Sequence, residues 1–184
     1  LARVIGGAGD DTFKLVDGVV FKGIIDGAIG EDTLDYSSYD APVVFDLARI
    51  SATGLGGFTG IEQLVGSAFS DTIFGPNLDT TFVIDGTDSG RIEWLNDSIQ
   101  IQIDFMQIEN LKGGSGADTV VIYADGIISG LVDGGGGTNT LNYEHYTITG
   151  DAGVVVNLNT GQAANIGSEV NGTVRNISNI TGSA

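Results

Sequence analysis

The chain contains no cysteine, which excludes disulfides, thiol catalysis and thiolate metal sites together. Basic residues are scarce: 7 Lys plus Arg stand against 24 Asp plus Glu, a formal charge of −17. A surface of that sign repels phosphate, so nucleic acid and anionic membranes are set aside as partners. No stretch approaches 18 consecutive apolar residues, and no segment reads as a bilayer-spanning helix. The single histidine, His145, has no Ser–Asp pairing around it that suggests a triad, and reads as a surface residue. Apolar residues make up 41% of the chain, which is too much to leave unburied in a disordered acidic tail.

Glycine is what the chain has in quantity, 30 residues against 2 prolines. There is no G-X-Y period, so these glycines serve many tight turns between short apolar runs. Internal repetition gives the turns an order. Residues 4–36 align with 111–143 at a constant offset of 107: "VIGGAGDDTF" faces "LKGGSGADTV", and "IIDGAIGEDTLDY" faces "LVDGGGGTNTLNY". "VVFDL" at 43–47 matches "VVVNL" at 154–158, the later copy having gained four residues. A second anchor recurs from Ile61, Ile108 and Ile177, with Leu1 aligned to Ile108. The Gly-rich turns start at Gly6, Gly27, Gly66, near Gly86, and at Gly113, Gly134 and Gly182, mostly one or two multiples of about 20 residues apart.

Local patterning favours strands. "SIQIQIDF" at 98–105 alternates strictly, and no 3.6-residue stripe of helical length occurs. These signals predict an all-β fold, a parallel β-helix or β-roll solenoid of about nine coils of roughly 20 residues. Stacked at about 4.8 Å, the coils would make a rod on the order of 45 Å long. One domain, 1–184, is expected, with repeat units 1–60, 61–107 and 108–176 and the start of another at 177–184. Neither end carries a polar cap, and the "SDT" that follows Gly66-Ser67-Ala68 is missing after Gly182-Ser183-Ala184, so a segment of a longer array is expected, with neighbouring repeats of the same chain as its partners.

"GGAGDDTFK" at 6–14 and "GGSGADTVV" at 113–121 follow the pattern G-G-x-G-x-D-x-U-x, where U is a large apolar residue. Glycines that turn carbonyls inward and an Asp carboxylate form an oxygen-only donor set, which suits Ca²⁺. The pattern resembles the repeats-in-toxin, haemolysin-type calcium-binding repeats of giant bacterial secreted and surface proteins. "GAIGEDTLD", "GSAFSDTIF" and "GGGGTNTLN" are looser versions, the last with Asn139 for the Asp. In that family calcium is shared between tandem nonapeptides, whereas these motifs stand about a coil or more apart. The metal candidates are therefore Asp11 with Asp32, Asp118 beside Asn139, and Asp71, with Asp10 and Asn139 as weaker ligands. A second reading stays open: Asp and Asn in such turns accept backbone N–H bonds and form a ladder that needs no ion. Divalent cations should in either case relieve the self-repulsion of so acidic a rod.

The function these features suggest is structural: a stalk or adhesin module of a secreted or cell-surface bacterial protein, stabilised by Ca²⁺ and not an enzyme. The competing classes are a carbohydrate-binding module and a polysaccharide-active β-helix enzyme. The first would use an exposed column of Tyr36, Trp94 and Tyr143, and would bring in glycans or another cell surface as partners. The second needs paired carboxylates and a positioned base, for which Arg49, Arg91 and Arg175 form no recognisable constellation. Thr12, Thr33, Thr72, Thr119 and Thr140 should face outward as one column. Such a column is also met on ice-binding surfaces, but Thr suits any strand surface. The N-x-[ST] matches at Asn171, Asn176 and Asn179 come cheaply in so Asn- and Thr-rich a sequence.

Overall fold

The computed structural model describes residues 2–147, 153–167 and 173–182; the predicted anchor at Leu1, the pair Ser183-Ala184 and the sequon at Asn171 lie outside them. No α-helix occurs among the described residues, which form short strands gathered into two nine-stranded sheets and one two-stranded sheet. The fold is all-β, with parallel strands in mixed, open sheets.

The chain passes back and forth between the two large sheets. β1 (Arg3–Ala8) and β3 (Phe21–Ile29) belong to the first, β2 (Thr12–Val16) and β4 (Thr33–Ser38) to the second. β5 (Val44–Asp46), β6 (Ser51–Ala52) and β7 (Leu55–Thr59) then form an antiparallel meander in the first sheet, which sets β7 against β3. β8 (Gln63–Val65) joins the second sheet and β9 (Thr72–Phe74) the first. A second meander, β10 (Thr80–Gly86), β11 (Ser89–Asn96) and β12 (Ile99–Met106), returns to β8 in the second sheet. β13 (Asn110–Lys112), β15 (Val132–Asp133) and β19 (Val174–Arg175) complete the first sheet; β14 (Thr119–Ile122), β16 (Thr140–Asn142) and β20 (Asn179–Thr181) complete the second. The hairpin β17 (Val156–Asn157) with β18 (Gln162–Ala163) stands apart.

Strand order is β1-β3-β7-β6-β5-β9-β13-β15-β19 in one sheet and β2-β4-β8-β12-β11-β10-β14-β16-β20 in the other. The two orders match in rank toward both ends, β1, β3 and β7 with β2, β4 and β8, and β9, β13, β15 and β19 with β10, β14, β16 and β20, and strands of equal rank in these stretches are called a level below. In strands such as β3, β4 and β12 buried and more exposed residues alternate, and in-register apolar residues form continuous rows. Phe45, Ile73, Leu111, Val132 and Val174 make one such row in the first sheet. Phe82, Val120, Leu141 and Ile180 make another in the second. The buried members belong to one core cluster, and each of these large side chains contributes about 1.5–3 kcal/mol when fully covered. A single level of two short strands has no neighbour to cover this row, so stacking is what makes the burial possible.

The period expected from the sequence holds in only part of the chain. Val4 pairs with Ile25 and Leu111 with Val132, both steps of 21 residues, and the two members of the 107-residue repeat sit on equivalent strands. Elsewhere the steps lengthen, from Ile25 to Phe58, Ile73 to Leu111 and Val132 to Val174, because meanders or a hairpin intervene. The alternating run 98–105 falls almost wholly in β12, which pairs in parallel with β8 on one side and with β11 on the other through a hairpin whose two turn residues, Asp97 and Ser98, have φ of 49° and 70°, the twist that a two-residue hairpin turn requires.

Candidate functional site

The Gly-rich turns at 6–11, 27–32, 113–118 and 134–139 all carry the chain from the first sheet to the second, and the strands that flank them pair in parallel. Expected neighbours are therefore neighbours: Asp11 N–H donates to Asp32 Oδ1 at 2.8 Å, and Asp118 N–H donates to Asn139 Oδ1 at 2.9 Å. The same bond recurs where the motif is absent. Asp32 N–H donates to Glu62 Oε2 at 2.9 Å, and Thr80 N–H to Asp118 Oδ1 at 3.0 Å. Asp10 plays an outer version, its Oδ1 accepting Glu31 N–H at 2.9 Å. Asp71 belongs to the opposite connection, from the second sheet to the first. There it accepts Val43 N–H at 2.6 Å and holds Ser67 through both the hydroxyl and the backbone N–H, while its own N–H donates to Glu109 Oε2 at 2.7 Å. These turns form two polar ladders, in which a side-chain acceptor of one level holds the backbone of the level beside it.

The first glycine of the motif has a packing role. A Cβ on Gly113 would collide with Asp118 Oδ2 and with the carbonyl oxygen of Gly134 in the adjoining level, and one on Gly27 would collide with Asp32 Oδ2 and the Gly60 carbonyl oxygen. The carboxyl folds back over its own turn, five residues on, and occupies the space a side chain would take.

Asp32 and Asp71 are fully buried, and Asp118 and Asn139 nearly so. Asn139 satisfies both ends of its amide, since Nδ2 donates to Gly136 O and Asn176 O, each at 2.9 Å. Asp32 and Asp118 do not: the Oδ2 atom of each is buried without a hydrogen-bond partner. Burial pushes the Asp118 carboxyl up to about 6, against the opposing pull of Thr80 and of the Gly114 backbone N–H beside it. Burial likewise raises Glu62 and Glu109, although each accepts a backbone bond.

Calcium at these turns would need six to eight oxygens. The motif carboxylates instead meet backbone N–H groups, and among the described residues no group of three or more His, Asp or Glu is placed to hold a metal ion. The interior space lined by Gly113, Asp118, Gly134 and Asn139 has no room for a water molecule. The hydrogen bonds present at these turns are those of the ion-free ladder.

A scan against protein-family models and a search of curated proteins each found no match for the chain. Site assignment therefore rests on geometry. One turn escaped the sequence reading: Gly75–Thr80 joins β9 to β10 and stacks on Gly113–Asp118, with Thr81 against Thr119. The signal was present as "GPNLDTTF", with Thr80 in the position of the Asp and Thr81-Phe82 following as Thr119-Val120 do. The turn expected near Gly86 is instead the bulged end of β10. Thr72 lies in the first sheet, so the threonine column is broken into Thr12–Thr33 and Thr81–Thr119–Thr140. Tyr36, Trp94 and Tyr143 are buried and offer no stacking face to a sugar. The hydroxyls of Tyr36 and Tyr143 are also occupied, donating to Thr53 O and Ala164 O at 2.7 Å each. His145 is exposed and stacks on Tyr123 at 4.9 Å.

Proposed function

We propose that the chain is a β-solenoid segment serving as a rigid, acidic stalk or adhesin module of a secreted or cell-surface protein. The observation that carries this reading is the recurrence of one polar bond between successive levels, from Asp11–Asp32 to Asp118–Asn139, above a continuous apolar row. The most buried carboxyls are spent on holding backbone, which suits a spacer and leaves no reacting pair among them. Nine sheet positions at about 4.8 Å give an axis of roughly 40 Å. Calcium enters this proposal as a diffuse counter-ion to a charge of −17 and not as a ligand-caged ion.

Force spectroscopy on the chain held between marker domains tests the mechanical role, with millimolar Ca²⁺ compared against NaCl of equal ionic strength. One cooperative rupture, with calcium and matched NaCl giving similar forces, is expected. Strand-by-strand unravelling at low force would remove the stalk reading, and a large calcium-specific rise would restore a caged ion.

A further inference from the structure

The second meander overhangs the sheet to which it belongs. β10 and β11 stop pairing at Thr80 and Trp94, while β11 and β12 continue to Asn96 and Ile99. Residues 95–100 therefore project with no strand beside them on the β10 side among the described residues. The turn at 75–80 stands next to this projection, and the two enclose a groove of about 560 Å³, a size in the range of small-ligand sites. Asn77, Leu78 and Asp79 line it from the turn, and Glu93, Trp94, Leu95 and Gln100 line it from the hairpin. The groove lies in the middle of the strand order, with paired strands on both sides.

Its polar groups are only half used by the fold. Asp79 Oδ1 accepts Ala117 N–H at 2.7 Å, and Glu93 Oε1 accepts Arg91 Nε–H at 2.5 Å. Both carboxylates are thus held in place with the second oxygen of each left open. The side-chain amides of Asn77 and Gln100 make no hydrogen bond among the described residues. Trp94 is 7% exposed, and its indole N–H likewise meets no acceptor among the described residues. That N–H is not sealed from solvent, and the groove is where this ring reaches the surface. A donor on a ring more than nine-tenths buried loses a hydrogen bond unless something in the groove supplies the acceptor.

A cation would satisfy Asp79 and Glu93 but has nothing to offer the indole and amide N–H groups. An anion would meet those donors only against two carboxylates, on a chain of charge −17. Hydroxyl groups both donate and accept, so a neutral polyol serves both sets at once. Leu78 and Leu95, 41% and 60% exposed, can cover its C–H faces. We propose that this groove binds a neutral saccharide, whose hydroxyls donate to Asp79 Oδ2 and Glu93 Oε2 and accept from Gln100 Nε2 and Trp94 Nε1. The rest of the Trp94 ring stays in the core, so recognition runs through its N–H edge and not through stacking. This binding is separate from the mechanical role of the chain, and gives a rigid spacer a place along its side to hold a glycan.

Trp94 is the sole tryptophan, so its indole cross-peak in a proton–nitrogen correlation spectrum reports on this groove alone. The test titrates the 184-residue chain with maltotriose, mannotriose and lactose to tens of millimolar, with trilysine and trigalacturonate as cationic and anionic controls. A saturable shift of the indole signal with at least one neutral sugar, and with neither control, is expected. Asp79→Asn keeps an oxygen for Ala117 N–H and removes the open acceptor, and should weaken that binding about tenfold. Gln100→Ala, at an exposed position, should weaken it several-fold. Both variants should leave the remaining backbone cross-peaks in place. No indole shift with any of the three sugars would overturn the proposal. A saturable shift with trilysine would overturn it too, as would sugar binding that both variants leave unchanged. None of these outcomes alters the rupture force, which tests the stalk by itself.

Discussion

Residues 3–53 and 110–164 are two copies of one plan, and they differ where the difference is informative. Both pair their strands at a step of 21 residues. Both bury a tyrosine pair in T-shaped contact, Tyr36 with Tyr39 at 5.4 Å and Tyr143 with Tyr146 at 5.7 Å. Both end in a hairpin of the same register, Phe45 against Ala52 and Val156 against Ala163. In the first copy Phe45 packs on Tyr36 at 5.3 Å and its strand belongs to the large sheet; in the second, Val156 is smaller and its hairpin forms a sheet of its own. The ladder differs too. The first copy places Asp32 where the second places Asn139, and only the amide finds a partner for each of its polar atoms. An amide donor facing a carbonyl is thus the better rung, and a carboxylate there leaves a buried acceptor unpaired.

Several substitutions would sharpen or break this comparison. Gly113→Ala should cost about 3 kcal/mol or prevent folding, because the Cβ meets two oxygens in an enclosed turn. Gly6→Ala, its equivalent beside the half-buried Asp11, should cost less, about 2 kcal/mol, since Asp11 can turn toward solvent although the Gly27 carbonyl oxygen still crowds the Cβ. Equal losses in urea unfolding would show that the two turns are not differently confined. Next in size is the reciprocal exchange. Asn139→Asp should lose about 1–3 kcal/mol at neutral pH, and Asp32→Asn should gain about 1 kcal/mol by donating to Gly60 O. A loss in both directions, read from thermal midpoints, would refute the amide preference. Tyr36→Phe and Tyr143→Phe should each cost about 1 kcal/mol, the smallest effect, since each strands one carbonyl. A marked inequality in calorimetry would mean that the second hairpin does not hold its tyrosine as the first does.

Much of the fold was legible because the 107-residue repeat carries register with it. Once Gly6, Asp11 and Phe13 align with Gly113, Asp118 and Val120, the parallel pairing of each with its next level follows. The two meanders were not legible. A short run such as "VVFDL" alternates in the same way whether its neighbour runs parallel or antiparallel, and the direction is fixed by turns such as Asp97-Ser98 that hold no glycine. At the site, residue positions were legible but their chemistry was not. Asp in a Gly-rich turn reads as an ion ligand or as an amide acceptor from sequence alone, and the amide-acceptor reading rests on the adjoining level's N–H groups, which the sequence does not place. Asp71 misled for a related reason: the motif is the same on both connections between the sheets, so spacing does not say on which side a turn lies.

The claim at the centre of this account is that the buried motif carboxyls act as rungs between levels, and that at Asp118 the rung is better neutral than charged. Asp118 states it most directly. Its carboxyl stands at about 6 in the folded chain against 3.8 for a free Asp, so the fold holds the proton more tightly than the unfolded chain. Stability from this group should therefore fall as pH rises from about 4 to about 6, with the whole penalty present above that window. The deciding measurement is the urea unfolding free energy of the unaltered chain and of Asp118→Asn from pH 4 to pH 8, with and without millimolar Ca²⁺. The account predicts near-equal stability at pH 4, an advantage of about 1–3 kcal/mol for Asp118→Asn at pH 7.5, and no calcium-specific gap between the two. An unaltered chain that is more stable than Asp118→Asn at pH 7.5, and only when calcium is present, would contradict it.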